Sequence, residues 1–141
     1  MRKIDKVLIV DDDEINNFIN IRLIKKLGIT DEIKVFKDGK EAYDYILDKC
    51  YKDGKVCCAL VLLDHNMPVM DGIEFMKAYS KLPIKNREDM VFVHLGTVSK
   101  KVHTELFEKL GVEEFTMKPL REEVILEIHQ KYWESNKVCN S

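Results

Sequence analysis

Residues 60–72 read LVLLDHNMPVMDG. The first four, Leu60 to Leu63, form a short continuous apolar run, which is typical of a strand buried on both faces of a parallel sheet. The run ends at a carboxylate, Asp64, and the loop that follows contains Pro68 and closes at Asp71-Gly72. Ligands of open α/β sheets bind beyond the carboxyl ends of the strands. The sequence therefore places Asp64 where such a sheet would carry its chemistry.

Other short apolar runs and helical patterns surround this strand. The remaining strand candidates are Val7–Val10, Ile33–Phe36, Val91–Leu95 and Glu113–Met117. The first helix is predicted over Glu14–Leu27 and stops at Gly28. It has apolar residues at helical spacing, namely Ile15, Phe18, Ile19, Leu23 and Leu27. Five alternations of strand and helix predict an α/β fold with a parallel sheet covered on both faces.

The size and composition of the chain suit one globular domain. The 141 residues are 45% hydrophobic and 34% charged, with a net charge of −2. We expect a single domain over residues 1–141, with a core from about residue 6 to 133 and a polar, frayed tail over 134–141. No basic stripe indicates nucleic-acid binding, and neither a signal peptide nor an apolar run of ~20 residues indicates a membrane. A cytoplasmic, free-standing protein is the expectation.

The four cysteines give no recognisable framework. They are Cys50, Cys57, Cys58 and Cys139, and no two of them form a C-x-x-C pair. Zinc ligation and structural disulfides are therefore not expected. Reduced thiols in a cytosol are the prediction.

Carboxylates follow two of the predicted strands. Asp11 and Asp12 come after the first and Asp64 after the third, at the same edge of the sheet. Like charges this close need neutralising, and a hard cation such as Mg²⁺ or Mn²⁺ would do so. A simpler alternative is that the run Asp11 to Asp13 only caps the first helix.

A carboxylate at this position can also act as a nucleophile. Carboxylates form acyl-phosphate intermediates, and phosphoryl transfer depends mainly on positioning and on charge neutralisation. Lys118 leaves the fifth strand at the same edge, just before Pro119, and is the candidate ammonium. The residues thus predict a phosphoryl-accepting Asp64 beside a cation and a lysine.

The segment LVLLDHNMPVMDG resembles the phosphoacceptor segment of response-regulator receiver domains, the CheY-like family, and the resemblance extends from about Lys6 to Trp133. It implies a flavodoxin-like (βα)5 fold, doubly wound, with strand order 2-1-3-4-5. It also implies that Asp64 is the phosphoacceptor of a two-component system or phosphorelay. The phosphoryl group would come from a partner histidine kinase or phosphotransfer protein. Output would pass through the fourth helix, fifth strand and fifth helix to an unknown downstream protein.

The resemblance also implies roles for individual residues. Asp11 and Asp12 match the acidic pair, with Asp12 the more direct metal ligand. The main-chain carbonyl of Asn66 would complete the metal shell. Lys118 would contact the phosphoryl group, and its bond to Pro119 would be cis. Phe115 falls at the position of a switching aromatic residue.

One departure from the family pattern lies at the end of the fourth strand. The family has a Thr or Ser there, whereas this chain reads His94-Leu95-Gly96-Thr97. Ungapped counting puts Gly96 in the hydroxyl position, and a loop one residue shorter puts Thr97 there. Thr97 is favoured because its hydroxyl can donate to a phosphoryl oxygen. If Gly96 occupies the position, a backbone N–H would have to substitute.

Two other classes of protein are compatible with parts of this pattern. A haloacid-dehalogenase-type phosphatase also uses a strand-end Asp with Mg²⁺, but it requires a second acid two residues later, where this chain has Asn66. A flavodoxin-like electron carrier would need a loop after the first strand that accepts a phosphate, which Asp11 to Asp13 would repel. Both are disfavoured, and a phosphoacceptor that is not a turnover enzyme is preferred.

Overall fold

The computed structural model describes residues 2–96 and 103–139. Parallel strands form a five-stranded sheet in the order β2-β1-β5-β6-β7, and a separate pair, β3-β4, is antiparallel. The strands are β1 Lys6–Val10, β2 Ile33–Phe36, β3 Tyr51–Lys52, β4 Lys55–Val56, β5 Ala59–Leu63, β6 Met90–Gly96 and β7 Glu114–Met117. The helices are α1 Glu14–Leu27, α2 Gly39–Tyr45, α3 Gly72–Ser80, α4 Thr104–Leu110 and α5 Glu122–His129. Counting only the strands of the main sheet, this is the predicted flavodoxin-like order 2-1-3-4-5, which is confirmed.

The central strand, β5, is apolar because both of its faces are covered. All five of its residues are 0% exposed. Val61 and Leu63 pack with α2, α3 and α4 on one side, whereas Leu60 and Leu62 pack with α1 and α5 on the other. Val10 of β1 lies in register with Leu63, so the residues after both strands emerge side by side. This register brings Asp11 next to Asp64.

The segment just before the central strand, residues 51–56, is a β-hairpin. The strands β3 and β4 pair antiparallel, with Tyr51 opposite Val56. The two residues between them, Asp53 and Gly54, have φ values of 54° and 77°. Positive φ at both positions is what a two-residue type I′ turn requires, and Asp-Gly is one of its preferred sequences.

The spacing of apolar residues predicted which side of α1 is apolar. The three residues of that side nearest the N-terminus are exposed and do not face the core. Ile15, Phe18 and Ile19 are 75%, 57% and 42% exposed. The inward positions hold Ile24 and three asparagines instead, namely Asn16, Asn17 and Asn20. The helix bounds were correct. The orientation differs because the first turns of α1 must present amides to the buried Asp11, as described below.

The prediction of reduced cysteines and a frayed tail was wrong. Disulfides join Cys50 to Cys57 and Cys58 to Cys139. The last helical turn continues α5 as Gln130–Glu134, and beyond it Val138 is 2% exposed. Cys139 lies 81 residues from its partner, so only the fold, and no local spacing, brings the two sulfurs together.

Within the parts of the chain that the structure describes, none of the helices has both the length and the apolar character needed to cross a membrane.

Candidate functional site

Three carboxylates converge at the carboxyl edge of the sheet. Asp11 and Asp12 follow β1, Asp64 follows β5, and one oxygen from each lies within 4.8 Å of the others. Asp11 is fully buried and Asp64 is 9% exposed, whereas Asp12 is exposed. The cluster therefore has a buried floor and one ligand that faces solvent.

Lys118 reaches this cluster from the end of β7. Its Nζ lies 3.0 Å from Asp11 Oδ2 and 3.4 Å from Asp64 Oδ1. Burial alone would lower the pKa of Lys118, but the hydrogen bond and charge of Asp11 and Asp64 outweigh it and raise the pKa above its ordinary value. The peptide bond between Lys118 and Pro119 is cis. The site thus holds a lysine that stays protonated between two carboxylates.

The environment of Asp64 raises its pKa to about 6. Burial is the main cause, and the negative charge of Asp11 adds to it. Lys118 and the backbone N–H of His65 oppose the shift by stabilising the charged form. At neutral pH, Asp64 is therefore ionised, but burial and the charge of Asp11 destabilise its carboxylate, so a cation or a covalent bond at this oxygen would be favourable.

Asp11 is held in place by the first turns of α1. The side-chain amide of Asn16 donates to Asp11 Oδ2 at 2.8 Å, and that of Asn17 donates to the Asp11 carbonyl at 2.8 Å. The backbone N–H of Asp13 donates to Asp11 Oδ1 at 3.0 Å. Sequence reasoning assigned no role to Asn16 or Asn17, because asparagine on a helix does not by itself indicate burial.

Asp13 serves the helix. Its carboxylate accepts hydrogen bonds from the backbone N–H groups of Ile15 and Asn16 at 3.0 and 3.1 Å. This is the N-cap geometry that stabilises the start of a helix. Of the three consecutive aspartates, Asp13 is the cap, and Asp11 and Asp12 belong to the acidic cluster.

The loop after Asp64 closes at Gly72, where there is no space for a side chain. A Cβ at this position would lie 2.6 Å from the Asp64 carbonyl oxygen and 3.1 Å from the His65 Cα. Both contacts are with backbone, which cannot easily move. Asp71 and Glu74 form a reciprocal capping box at the start of α3. The N-terminus of α3 is thereby fixed against the backbone of Asp64.

The predicted metal ligand Asn66 and one candidate for the hydroxyl position, Gly96, both lie within the described residues. Asn66 is exposed in the loop two residues after Asp64. Gly96 ends β6 in register with Met117, and its carbonyl accepts from the Lys118 N–H at 2.9 Å. Thr97 lies outside the described residues, so the choice between Gly96 and Thr97 stays a prediction.

His94 fills the space beside Gly96. A Cβ on Gly96 would lie 3.1 Å from His94 Cε1. The His94 ring lies 4.6 Å from the ring of Phe107 and 5.7 Å from that of Phe115, which is 37% exposed. Burial, aided by the nearby His65, lowers the pKa of His94 to about 4. His94 Nε2 has no hydrogen-bond partner in the described parts of the chain. No pattern of residue spacing predicted this arrangement.

Comparison with known families matches residues 7–130 to the response regulator receiver domain. The chain is 32% identical over 124 residues to two-component response regulator 24 of Arabidopsis thaliana, covering 88% of this chain and 81% of that protein. It is 26% identical over 136 residues to hybrid signal transduction histidine kinase I of Dictyostelium discoideum, where the match covers 94% of this chain and 8% of that protein. Since these two relatives differ so much in length, a free-standing organisation stays a prediction.

Solved structures show the same architecture. A two-component response regulator from Cytophaga hutchinsonii superposes with a TM-score of 0.79 at 25% identity, covering 92% of this chain and 97% of that one. The receiver domain of the sensor histidine kinase PA1611 from Pseudomonas aeruginosa has a TM-score of 0.70 at 18% identity, over 91% and 96% of the two chains. That structure is described with a magnesium ion coordinated in its active-site cleft.

Proposed function

We propose that this chain, which belongs to the response regulator receiver family, is a phosphoryl-accepting signalling switch in which Asp64 is the phosphoacceptor. The observation that carries the proposal is the convergence of Asp64, the acidic pair Asp11 and Asp12, and Lys118 at one edge of the sheet. The chain accepts a phosphoryl group and transmits the change by contact. Asn66, at the position two residues after Asp64, offers no general acid for steady turnover.

The chemistry follows from the charges around Asp64. A carboxylate oxygen of Asp64 attacks the phosphorus of a phosphohistidine, a P–O bond forms, and the P–N electron pair returns to the donor imidazole. Lys118 lies close enough to Asp64 to contact the transferred group and to neutralise its oxygens. The raised pKa of Asp64 reflects a buried charge, and forming the acyl phosphate removes that charge from the carboxylate.

The donor set of the acidic cluster fits a hard divalent cation. Asp11, Asp12 and Asp64 supply carboxylate oxygens close to one another, and Asp12 faces solvent. Mg²⁺ prefers a few carboxylates together with water and phosphate oxygens, and Mn²⁺ accepts the same ligands. We assign the three carboxylates and the Asn66 carbonyl to this ion. When bound, it would neutralise charge on the incoming phosphoryl group.

The partner that donates the phosphoryl group is a histidine kinase or a phosphotransfer protein. We assign its contact surface to the exposed apolar face of α1, formed by Ile15, Phe18 and Ile19. The guanidinium of Arg22 lies 5.6 Å from the centre of the Phe18 ring and borders this face. Because α1 begins three residues after Asp11, a protein bound to this face lies beside the acidic cluster. An apolar patch at such a position is typical of a protein–protein contact.

The output surface is α4, β7 and α5. Phe115 and Met117 of the edge strand β7 are 37% and 49% exposed, so this surface offers apolar contacts. The downstream partner is a protein, and the site of action is the cytoplasm. A local charge change that biases a two-state surface is a general mechanism of such switches.

Phosphorylation of Asp64 is tested by intact mass. The protein is incubated with acetyl phosphate and Mg²⁺, and its mass should rise by one phosphoryl group. Asp64→Asn keeps the shape of the side chain and should show no gain. Asp13→Asn retains a capping side chain outside the acidic cluster and should behave like the wild type. An unchanged wild-type mass, or an equal gain in Asp64→Asn, would refute the proposal.

The contact surface on α1 is tested separately. Phe18→Ala should slow phosphorylation by the partner kinase while leaving phosphorylation by acetyl phosphate unchanged, because only the first donor needs the surface. Leu47→Ala removes a comparably exposed apolar side chain from outside α1 and serves as the control. Equal loss with both donors would show that Phe18 acts on the site itself.

A further inference from the structure

The end of the sheet opposite the acidic cluster carries a cavity with a disulfide in its wall. Cys58 immediately precedes β5, whereas Asp64 follows it, so about 17 Å of strand separates the two ends. The cavity has a volume of about 470 Å³ and is lined by both Cys58 and Cys139. Both cysteines are partly exposed. A small molecule in this cavity would therefore lie against both cysteines.

Charged side chains of both signs line the cavity, and one of the basic ones, Lys3, pairs with Asp31 at 2.7 Å. Its basic members are Arg2, Lys3 and Lys55 and its acidic members are Asp5 and Asp89. Asp89 accepts hydrogen bonds from the Cys139 N–H at 2.7 Å and from the Asn86 amide at 3.0 Å, which hold its carboxylate in place.

We infer that the Cys58–Cys139 disulfide is a thiol–disulfide exchange site for a small thiol that carries carboxylates, a compound of the glutathione class. The cavity volume falls within the range of small-molecule sites. The basic side chains would attract the carboxylates of such a thiol and disfavour a cationic one. Disulfides of proteins that work in a reducing compartment are usually transient or redox-sensing, and this one is accessible from a cavity.

The exchange proceeds in two balanced steps. The incoming thiolate attacks Sγ of Cys139, a new S–S bond forms, and Cys58 leaves as a thiolate that takes a proton from solvent. A second thiolate then attacks the sulfur of the bound small thiol, and Cys139 leaves as a thiolate. Two small thiols are oxidised to one disulfide, and the protein disulfide gains the two electrons.

The structure favours Cys58 as the leaving sulfur. The indole N–H of the fully buried Trp133 donates to Cys58 Sγ at 3.3 Å, which would stabilise a thiolate there. Cys139 has a φ of 59°, a left-handed conformation that is strained for a residue with a side chain. Opening the bond would let that backbone relax. The indole contact directs attack to Cys139, whereas release of the backbone would accompany attack on either sulfur.

The first experiment maps the product. The oxidised protein is treated with reduced glutathione at increasing thiol-to-disulfide ratios, quenched with an alkylating agent and digested. We expect glutathione on Cys139 and the alkyl group on Cys58 at intermediate times. Hydrogen exchange of residues 135–139 should rise in parallel. Glutathione on Cys58 instead, or a Cys58–Cys139 bond that resists glutathione while Cys50–Cys57 opens, would overturn the inference.

The second experiment tests the charge preference. Rates of opening are compared between glutathione and cysteamine, a cationic thiol, each expressed per thiolate. Lys55→Glu should reduce the preference for glutathione roughly two- to fivefold, the range expected of an exposed charge pair. Lys40→Glu is the control, because it makes the same charge change at the opposite end of the sheet. The neighbouring Gly39 N–H donates to the carbonyl of Met70 in the loop after Asp64, and this variant should leave the preference unchanged. An equal preference in Lys55→Glu and wild type would overturn the charge argument, and Lys55→Gln checks it if Lys55→Glu does not fold.

Discussion

At the residue scale, His94 should make the free energy of unfolding depend on pH. Its pKa is about 4 when folded and 6.5 in the unfolded chain. Between these values the unfolded state binds the proton and the folded state does not, so stability present above pH 6.5 is lost as the pH falls. The loss should reach ~3 kcal/mol near pH 4. The free energy of unfolding of His94→Phe, measured against pH, should be flatter over this range. Parallel curves would contradict the assignment.

Gly72 provides a second prediction at this scale. Gly72→Ala places a Cβ 2.6 Å from the Asp64 carbonyl oxygen, and we expect a loss of about 2 kcal/mol in unfolding free energy together with slower phosphorylation. Gly28→Ala is the control. Gly28 has a φ of 64° with no atom within 4 Å of its added Cβ, so it should cost about 1 kcal/mol and leave phosphorylation intact. Equal phosphorylation in both variants would exclude the proposed effect of the clash on Asp64.

At the element scale, α1 has an unusual distribution of polarity, with asparagines inside and apolar side chains outside. Asn20 is 0% exposed, and within the described ranges neither polar atom of its side chain has a hydrogen-bond partner. Leucine is similar in shape to asparagine, so Asn20→Leu removes this unsatisfied amide without a large change in packing. We expect the free energy of unfolding, measured by thermal denaturation, to rise by about 1 kcal/mol. Asn16→Leu, which breaks a bond to Asp11, should instead destabilise the protein.

The same helix shows where sequence patterns stop being informative. Its bounds followed from the spacing of apolar residues and from Gly28, and they were confirmed. Its orientation did not follow, because spacing gives a stripe but not the direction in which the stripe points. The contacts of Asn16 and Asn17 with Asp11 set that direction, and they depend on the tertiary structure.

At the scale of the whole molecule, the sheet was predictable and its covalent cross-links were not. Five apolar runs alternating with helical patterns were enough to predict a parallel sheet, the family resemblance implied its strand order, and the strand-end Asp64 indicated the location of the site. The pairing of Cys58 with Cys139 spans 81 residues, and Val138 beside Cys139 is buried. Neither leaves a local pattern in the sequence. The same is true of the neighbourhood of His94, which depends on α4 and β7 meeting β6.

The two disulfides should contribute unequally to stability. A cross-link restricts the unfolded chain more when it closes a longer loop, and the separations are 81 and 7 residues. We expect Cys58→Ser/Cys139→Ser to lower the unfolding free energy by ~4 kcal/mol and Cys50→Ser/Cys57→Ser by ~2 kcal/mol. Denaturant melts of both double variants, run without reductant, compare them. The reverse order would mean that strain or residual unfolded structure, and not loop length, governs these bonds.

The first and last described residues lie side by side. The backbone N–H of Arg2 donates to Glu134 Oε1 at 3.1 Å, and its guanidinium bonds the Trp133 carbonyl and Asn136 at 3.0 Å each. The described part of the chain therefore begins and ends on the side of the sheet that faces away from Asp64. A fluorophore or a surface attached at Arg2 or Cys139 would therefore lie on that side and leave the approach to the acidic cluster clear.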